Sequence, residues 1–149
     1  MDVYEKLKEL GLQLPPAPAK GGVYSPSKRA GNLIFISGCG PAIGGNCLHG
    51  KLGGAVSLEE GQACARDCML NVLAVLQAAV GDLNKVTPIK ILTFVAGTDS
   101  FDSQPQVANG GSELLLALFG DVPARSAIGV NALPGDIPVE TEAIFEVKE

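Results

Sequence analysis

The segment from Pro123 to Val147 sets one arginine, Arg125, at the head of a small-residue stretch, Arg125-Ser126-Ala127-Ile128-Gly129-Val130. A Pro134-Gly135 turn follows, and then Val139-Glu140-Thr141-Glu142-Ala143, with acids at alternating positions. A guanidinium can grip a carboxylate through two parallel hydrogen bonds. A carboxylate close by can hold and orient a water. Those are the groups that hydrolysis of a small, carboxylate-bearing imine calls for. Alternation along the strand puts Glu140, Glu142 and Glu146 on one sheet face. Counting inward from the Pro-Gly turn does not set Arg125 directly opposite Glu140. An ion pair of Arg125 with Glu140 or Glu142 at a subunit interface is therefore the competing reading of the same residues.

Other reactive side chains form weaker patterns. Cys39, Cys47 and His49 are the only cluster with metal-ligand chemistry, but their spacing matches no zinc pattern and no fourth ligand is evident. No metal is expected. Cys64 and Cys68 stand at i, i+4 on an apolar helix face, where thiols act as small hydrophobes. A Cys–His nucleophilic pair would need His49, the single histidine, to reach a cysteine, and nothing in the sequence indicates that it does. Gly50-Lys51 is followed by Leu52 rather than Ser or Thr, so the phosphate-loop pattern fails.

The elements that must carry these groups fit one domain of 149 residues, expected to span 1–149. The chain is 46% hydrophobic and 18% charged, too apolar for disorder, and it lacks tryptophan. The core must come from Val, Ile, Leu and Ala. Apolar surface left over on so short a chain points to self-association. A net charge of -5 with scattered basic residues argues against nucleic acid as the main partner. No h-region follows Met1, no continuous apolar run approaches membrane-spanning length, and the four cysteines form no disulfide framework. A cytoplasmic protein with reduced thiols is the expectation.

Along the chain, Val3 to Leu10 reads as a short helix with Val3, Leu7 and Leu10 on one face, ended by Gly11. Leu14-Pro15-Pro16-Ala17-Pro18 is an extended linker, so 1–18 form an N-terminal helix and proline-rich extension. Gly31-Asn32 marks a hairpin. Leu33-Ile34-Phe35-Ile36-Ser37 is expected to be a central, well-covered strand. Ser57 and Glu60 form a capping box for a helix with one wide apolar face, stopped by Gly81. Ile89 to Ala96 is a strand, Gln106 to Phe119 a helix buried from several directions, and Arg125–Ala132 and Val139–Val147 a closing hairpin. The layout is α+β: a mixed sheet with two helices packed on one face.

On these residues the chain resembles the Rid (YjgF) family of reactive-intermediate deaminases, once called L-PSP endoribonucleases. The matching pieces are Tyr24 ahead of the Gly-Asn turn, Leu33-Ile34-Phe35-Ile36-Ser37-Gly38, the helix carrying Asn71, Gly81-Asp82-Leu83, Asn109 and Glu113, Ala124-Arg125-Ser126, Leu133-Pro134, and Val139-Glu140-Thr141-Glu142-Ala143. It looks most like an N-terminally extended subgroup. The resemblance implies a chorismate-mutase-like fold, a homotrimer with pockets between subunits, and hydrolysis of 2-imino or enamine acids of the 2-aminoacrylate type to 2-keto acids and ammonia. It implies no cofactor.

The family's carboxylate-gripping arginine maps to Arg125 and its water-positioning glutamate to Glu140. Tyr24, Ser37, Cys39, Asn109, Ser126 and Ala127 match substrate-binding positions, Asn109 after a one-residue gap. Two positions depart from the family pattern. Ala127 stands where many members carry cysteine, and Cys39 where many carry glutamine. Both bear on substrate range. They favour, as the alternative, a trimer that binds small carboxylates without turnover. The family's older name supplies a third reading, an endoribonuclease or translation inhibitor. The acidic balance and the absence of a His-His or His-Lys pair count against it.

Overall fold

The computed structural model describes residues 2–148. Asp2 caps the first helix, α1 (Val3–Glu9), in a capping box with Glu5, and Gly11 turns the chain away at φ 71°. Val3 and Leu7 are buried as expected, but Leu10 is 49% exposed, because it caps the helix rather than continuing its face. Strands β1 (Ser27–Ala30) and β2 (Leu33–Cys39) pair across Gly31-Asn32. Helix α2 (Leu58–Val80) opens on the expected capping box: Glu60 N donates to Ser57 Oγ at 3.2 Å, and Ser57 N donates to Glu60 Oε1 at 2.9 Å. Strand β3 (Val86–Ala96), helix α3 (Gln104–Phe119), strand β4 (Ala124–Val130) and strand β5 (Val139–Val147) complete the chain.

The sheet order is β1-β2-β5-β3-β4. Strands β3 and β4 run parallel, with α3 as their crossover, and all other pairs are antiparallel. The closing hairpin is therefore a misreading. β4 lies at the edge beside β3, and β5 inserts between β2 and β3. The reason is the inward row of β5: Val139, Thr141, Ala143, Phe145 and Val147 are all buried, which an edge position could not give them. The Pro134-Gly135 turn sends the chain over the sheet instead of back along β4, with positive φ at Gly135 (67°) and Asp136 (58°).

Both α2 and α3 lie on one face of the sheet, and the core fills the space between. The other face carries Phe35 (42% exposed), Ile128 (44%) and the partly covered Leu92, Phe94 and Ile144. So β2 is covered on one side only, and its apolar run spends alternate residues on a bare face. Likewise Leu116 on α3 is 50% exposed. Helix α2 differs in the opposite sense: every residue from Cys68 to Leu76 is buried, since it is wedged between sheet and α3. Although charged residues interrupt its apolar runs, α2 is by length and composition long and apolar enough to cross a membrane; here it packs on β2, β5 and α3.

The α2–α3 contact is close because Gly110 has no side chain. A Cβ there would sit 1.9 Å from the Gln62 carbonyl oxygen of α2. Neither backbone can give way without moving a helix. Gly110→Ala is expected to cost about 1–3 kcal/mol or more of folding stability, read as a lowered denaturant midpoint. An unchanged midpoint would mean the helices are less tightly set than described.

Candidate active site

Arg125 opens the edge strand β4. Its register partner is Ile91 of β3, which pairs in turn with Ala143 of β5, and both are buried against the helices. The arginine therefore projects to the helix side, where α3 meets it. Nη1 donates to Asn109 Oδ1 at 2.7 Å and to Ser112 Oγ at 3.2 Å. Both acceptors are neutral. Among the described residues no carboxylate lies within ion-pair distance of the guanidinium, which is half-buried. Within one chain, then, neither Glu140 nor Glu142 pairs with Arg125. Asn109 sits inside an unbroken α3 rather than bending it.

Glu140 occupies a different surface. It pairs with Phe94, itself opposite Ile128, in the row that faces away from the helices. It lines a cavity of about 410 Å³ with Gly21, Tyr24, Ser37, Gly38 and Pro134. Gly38 makes the close fit possible, since a Cβ there would lie 2.8 Å from Glu140 Oε2. Tyr24 is 43% exposed, and its hydroxyl accepts from Gly21 N at 3.0 Å. The Ser37 hydroxyl donates to the Ser25 carbonyl at 2.7 Å, and Ser37 N donates to the Pro26 carbonyl at 3.0 Å. A second cavity of about 180 Å³ adjoins the same Ser37-Gly38 segment and is lined also by Lys20, Cys39, Asn71 and Ile137. Cys39 is buried, with its thiol pushed up to about 11, first by burial and then by Glu140. Asn71 Nδ2 donates to the Gly40 and Ala42 carbonyls, both at 2.9 Å, and fixes the loop that follows β2.

One chain does not bring the whole predicted set together. Tyr24, Ser37, Cys39 and Glu140 gather around the two cavities, while Arg125, Asn109 and Ala127 lie at the β4 edge; Cys39 shares the helix-covered face with Arg125 and Ala127, and Glu140 lies on the other. Ser126 points to the bare face, where Lys90 Nζ donates to its Oγ at 3.2 Å. β4 pairs only with β3, so its outer edge presents backbone N–H and C=O groups unpaired within the sheet. Sequence reasoning missed Ser112, Gly38 and Lys20. Ser112 follows Asn109 by three residues, the spacing that puts two side chains on one helix face, and that was readable. Gly38 and Lys20 acquire their roles only through tertiary placement.

A further correction concerns the histidine. His49 does reach a cysteine: its Nε2 lies 4.0 Å from Cys47 Sγ. The i, i+2 spacing gave no signal, because an irregular loop rather than a helix or strand folds the two side chains together.

With that geometry in view, comparison with known proteins decides the kinship. Residues 5–136 match the family model described as "YjgF/chorismate_mutase-like, putative endoribonuclease". The chain belongs to the Rid/YjgF family. Relatives include Protein TCP17 of Trypanosoma cruzi, 40% identical over 97% of this chain and 94% of that one. A solved protein of unknown function from Agrobacterium tumefaciens superposes with a TM-score of 0.92 at 37% identity, over 98% of this chain and 92% of the other. A protein of Dermatophagoides farinae named 2-iminobutanoate/2-iminopropanoate deaminase is 28% identical over 92% of this chain and 95% of its own. The Rid/YjgF chain has the chorismate-mutase-like α+β fold that its sequence led us to expect.

Partial burial lifts the Glu140 carboxyl above its ordinary value of 4.5, and the neighbouring Glu142 adds to the shift. A raised carboxyl favours the folded state when protonated. That contribution is full below the unfolded value and is lost as pH rises through the folded one. At neutral pH the ionised Glu140 therefore opposes folding. Glu140→Gln is expected to unfold at a higher denaturant concentration than the wild type at neutral pH, with the gap closing below pH 4.5. A gap that widens in acid would reverse the assignment.

Proposed function

We propose that this protein hydrolyses reactive 2-imino and enamine acids of the 2-aminoacrylate type to 2-keto acids and ammonia, in a pocket between two copies of a homotrimer. The observation that carries the reading is the guanidinium of Arg125, oriented by Asn109 and Ser112 through neutral oxygens and left with its charge uncompensated among the described residues. Such a group is prepared for an anion. The deaminase named among the relatives supports the same chemistry.

The enamine tautomerises to an imine whose carbon is already electrophilic, so the site has three tasks. Arg125, with β4 backbone groups at Ser126 and Ala127, holds the substrate carboxylate. Glu140 orients a water toward the imine carbon and takes its proton as the C–O bond forms. The C–N bond then breaks, the nitrogen leaves as ammonia with the protons delivered to it, and the carbonyl of the keto acid remains. No step calls for a metal or cofactor. Positioning supplies most of the rate.

Arg125 and Glu140 lie on opposite faces of one sheet, so one reaction centre requires the β4 edge of one copy to meet the Glu140 cavity of the next. The bare sheet face, with Phe35 and Ile128 exposed, supplies apolar area for that assembly. A cytoplasmic setting is part of this proposal, and the net charge of -5 counts against RNA as the partner.

Arg125→Ala is expected to lower kcat/KM for enzymatically generated 2-aminoacrylate about 10–100-fold, the scale of a hydrogen-bonded charge, and Glu140→Gln to suppress turnover separately. Mixing the two variants after dissociation tests the shared pocket. Random reassembly leaves about one site in four with both groups intact, so ammonia release should return to about a quarter of the wild-type rate. No recovery, with mixed trimers present, would place both groups in one chain's site. Saturable 2-keto acid binding without turnover by the wild type would instead favour the binding protein.

A further inference from the structure

The loop between β2 and α2 contains a chemical group that the proposed deamination does not use. His49 Nδ1 lies 3.1 Å from the Gly135 carbonyl oxygen. A carbonyl can only accept, so Nδ1 carries the proton and the neutral ring presents the Nε2 lone pair. That nitrogen is the one facing Cys47 Sγ at 4.0 Å. Thiol, imidazole and orienting acceptor thus stand in the order in which a general base activates a sulfur nucleophile.

Access singles out the same thiol. Cys47 is half-exposed, whereas Cys39, Cys64 and Cys68 are buried. Burial also pushes up the thiols of Cys39 and Cys64, each to about 11, and raises Cys68 strongly. The Cys47 thiol is raised as well, by partial burial. Its resting form is therefore the neutral thiol, and a proton must leave as the sulfur attacks. His49 Nε2 is placed to take it.

The loop is tied to the turn between β4 and β5. Besides the His49–Gly135 contact, Gly50 N donates to the Asp136 carbonyl at 2.9 Å, and Asp136 N closes the turn on the Leu133 carbonyl at 3.1 Å. That turn forms walls of both cavities, through Pro134 on one side and the adjacent Ile137 on the other.

We propose that Cys47 is a modification site for small, soft carbon electrophiles, with His49 as its general base, and that an adduct there loosens the Leu133–Ile137 turn. The sulfur forms a bond to the electrophilic carbon, the leaving group departs with the electron pair of the broken bond, and the S–H proton passes to Nε2 and on to water. A group added to the sulfur competes with the imidazole for space and displaces it from the Gly135 carbonyl. The proposal stands whether or not the cavities hydrolyse imines.

Iodoacetamide is the probe, applied to the full chain at neutral pH and followed by intact mass and peptide mapping. Cys47 should be carbamidomethylated first. In His49→Gln its rate constant should fall about tenfold or more, and in denaturant the two proteins should react alike. Faster labelling of a buried cysteine, or equal native rates with and without the imidazole, would overturn the pair. Hydrogen exchange reads the second half. Amides of Leu133–Ile137 should exchange faster in the Cys47 adduct, and iodoacetamide-treated Cys47→Ser should match its untreated form. Unchanged exchange in the adduct would overturn the link to the turn.

Discussion

Val139, Thr141, Ala143, Phe145 and Val147 form a buried row, and satisfying it forces β5 into the interior of the sheet. The alternate row of the same strand, Glu140, Glu142, Ile144 and Glu146, must then cross the bare face. Displaced by that insertion, β4 takes the edge. Arg125 and Glu140, fifteen residues apart in sequence, end on different strands with β3 between them and on opposite faces. The burial of one row thus separates the two charged groups within a chain. In the proposed deamination a second chain brings them together, and assembly and chemistry become one requirement.

The edge position of β4 also sets how Arg125 is held. A guanidinium on an interior strand would be enclosed and would need a carboxylate partner, since an unpaired buried charge is costly. At the edge it remains half-solvated, so neutral acceptors suffice. Asn109 and Ser112 fix its orientation without cancelling its charge. Each stands one turn from the other on α3, which reaches β4 because it is the crossover between β3 and β4. Topology, not local sequence, supplies the arginine's partners.

This explains which features were legible from the sequence. The Ser57–Glu60 capping box, Gly31-Asn32 and Gly81 depend on contacts a few residues apart, and they appear where local chemistry places them. The supposed β4–β5 hairpin failed because Pro134-Gly135 reports a change of direction but not the strand that waits to be paired. The apolar run Leu33–Ser37 reads as a well-covered strand because its pattern does not reveal that one of its faces lacks a layer of this chain. Arg125 and Glu140 were recognisable as chemistry, yet their separation was not, because register and face follow from long-range pairing. His49 and Cys47 meet through an irregular loop, where neither helical nor strand periodicity applies.

The two halves of the proposed site tune their charges by opposite physical means. Arg125 cannot lose its proton, so its environment need only aim it, and hydrogen bonds to neutral oxygens do that. Glu140 titrates, and its usefulness depends on how much water it loses. Gly38 lets the carboxylate press against backbone at a distance no side chain would permit. The resulting partial dehydration, with Glu142 on the same face, raises its affinity for a proton. A carboxylate lifted in this way is a stronger base than one in free solution, and therefore better suited to draw a proton from an attacking water. A β-carbon at position 38 would push the carboxylate outward, rehydrate it and weaken it as a base even with Glu140 itself intact. Gly38 is thus part of how the acid is made basic.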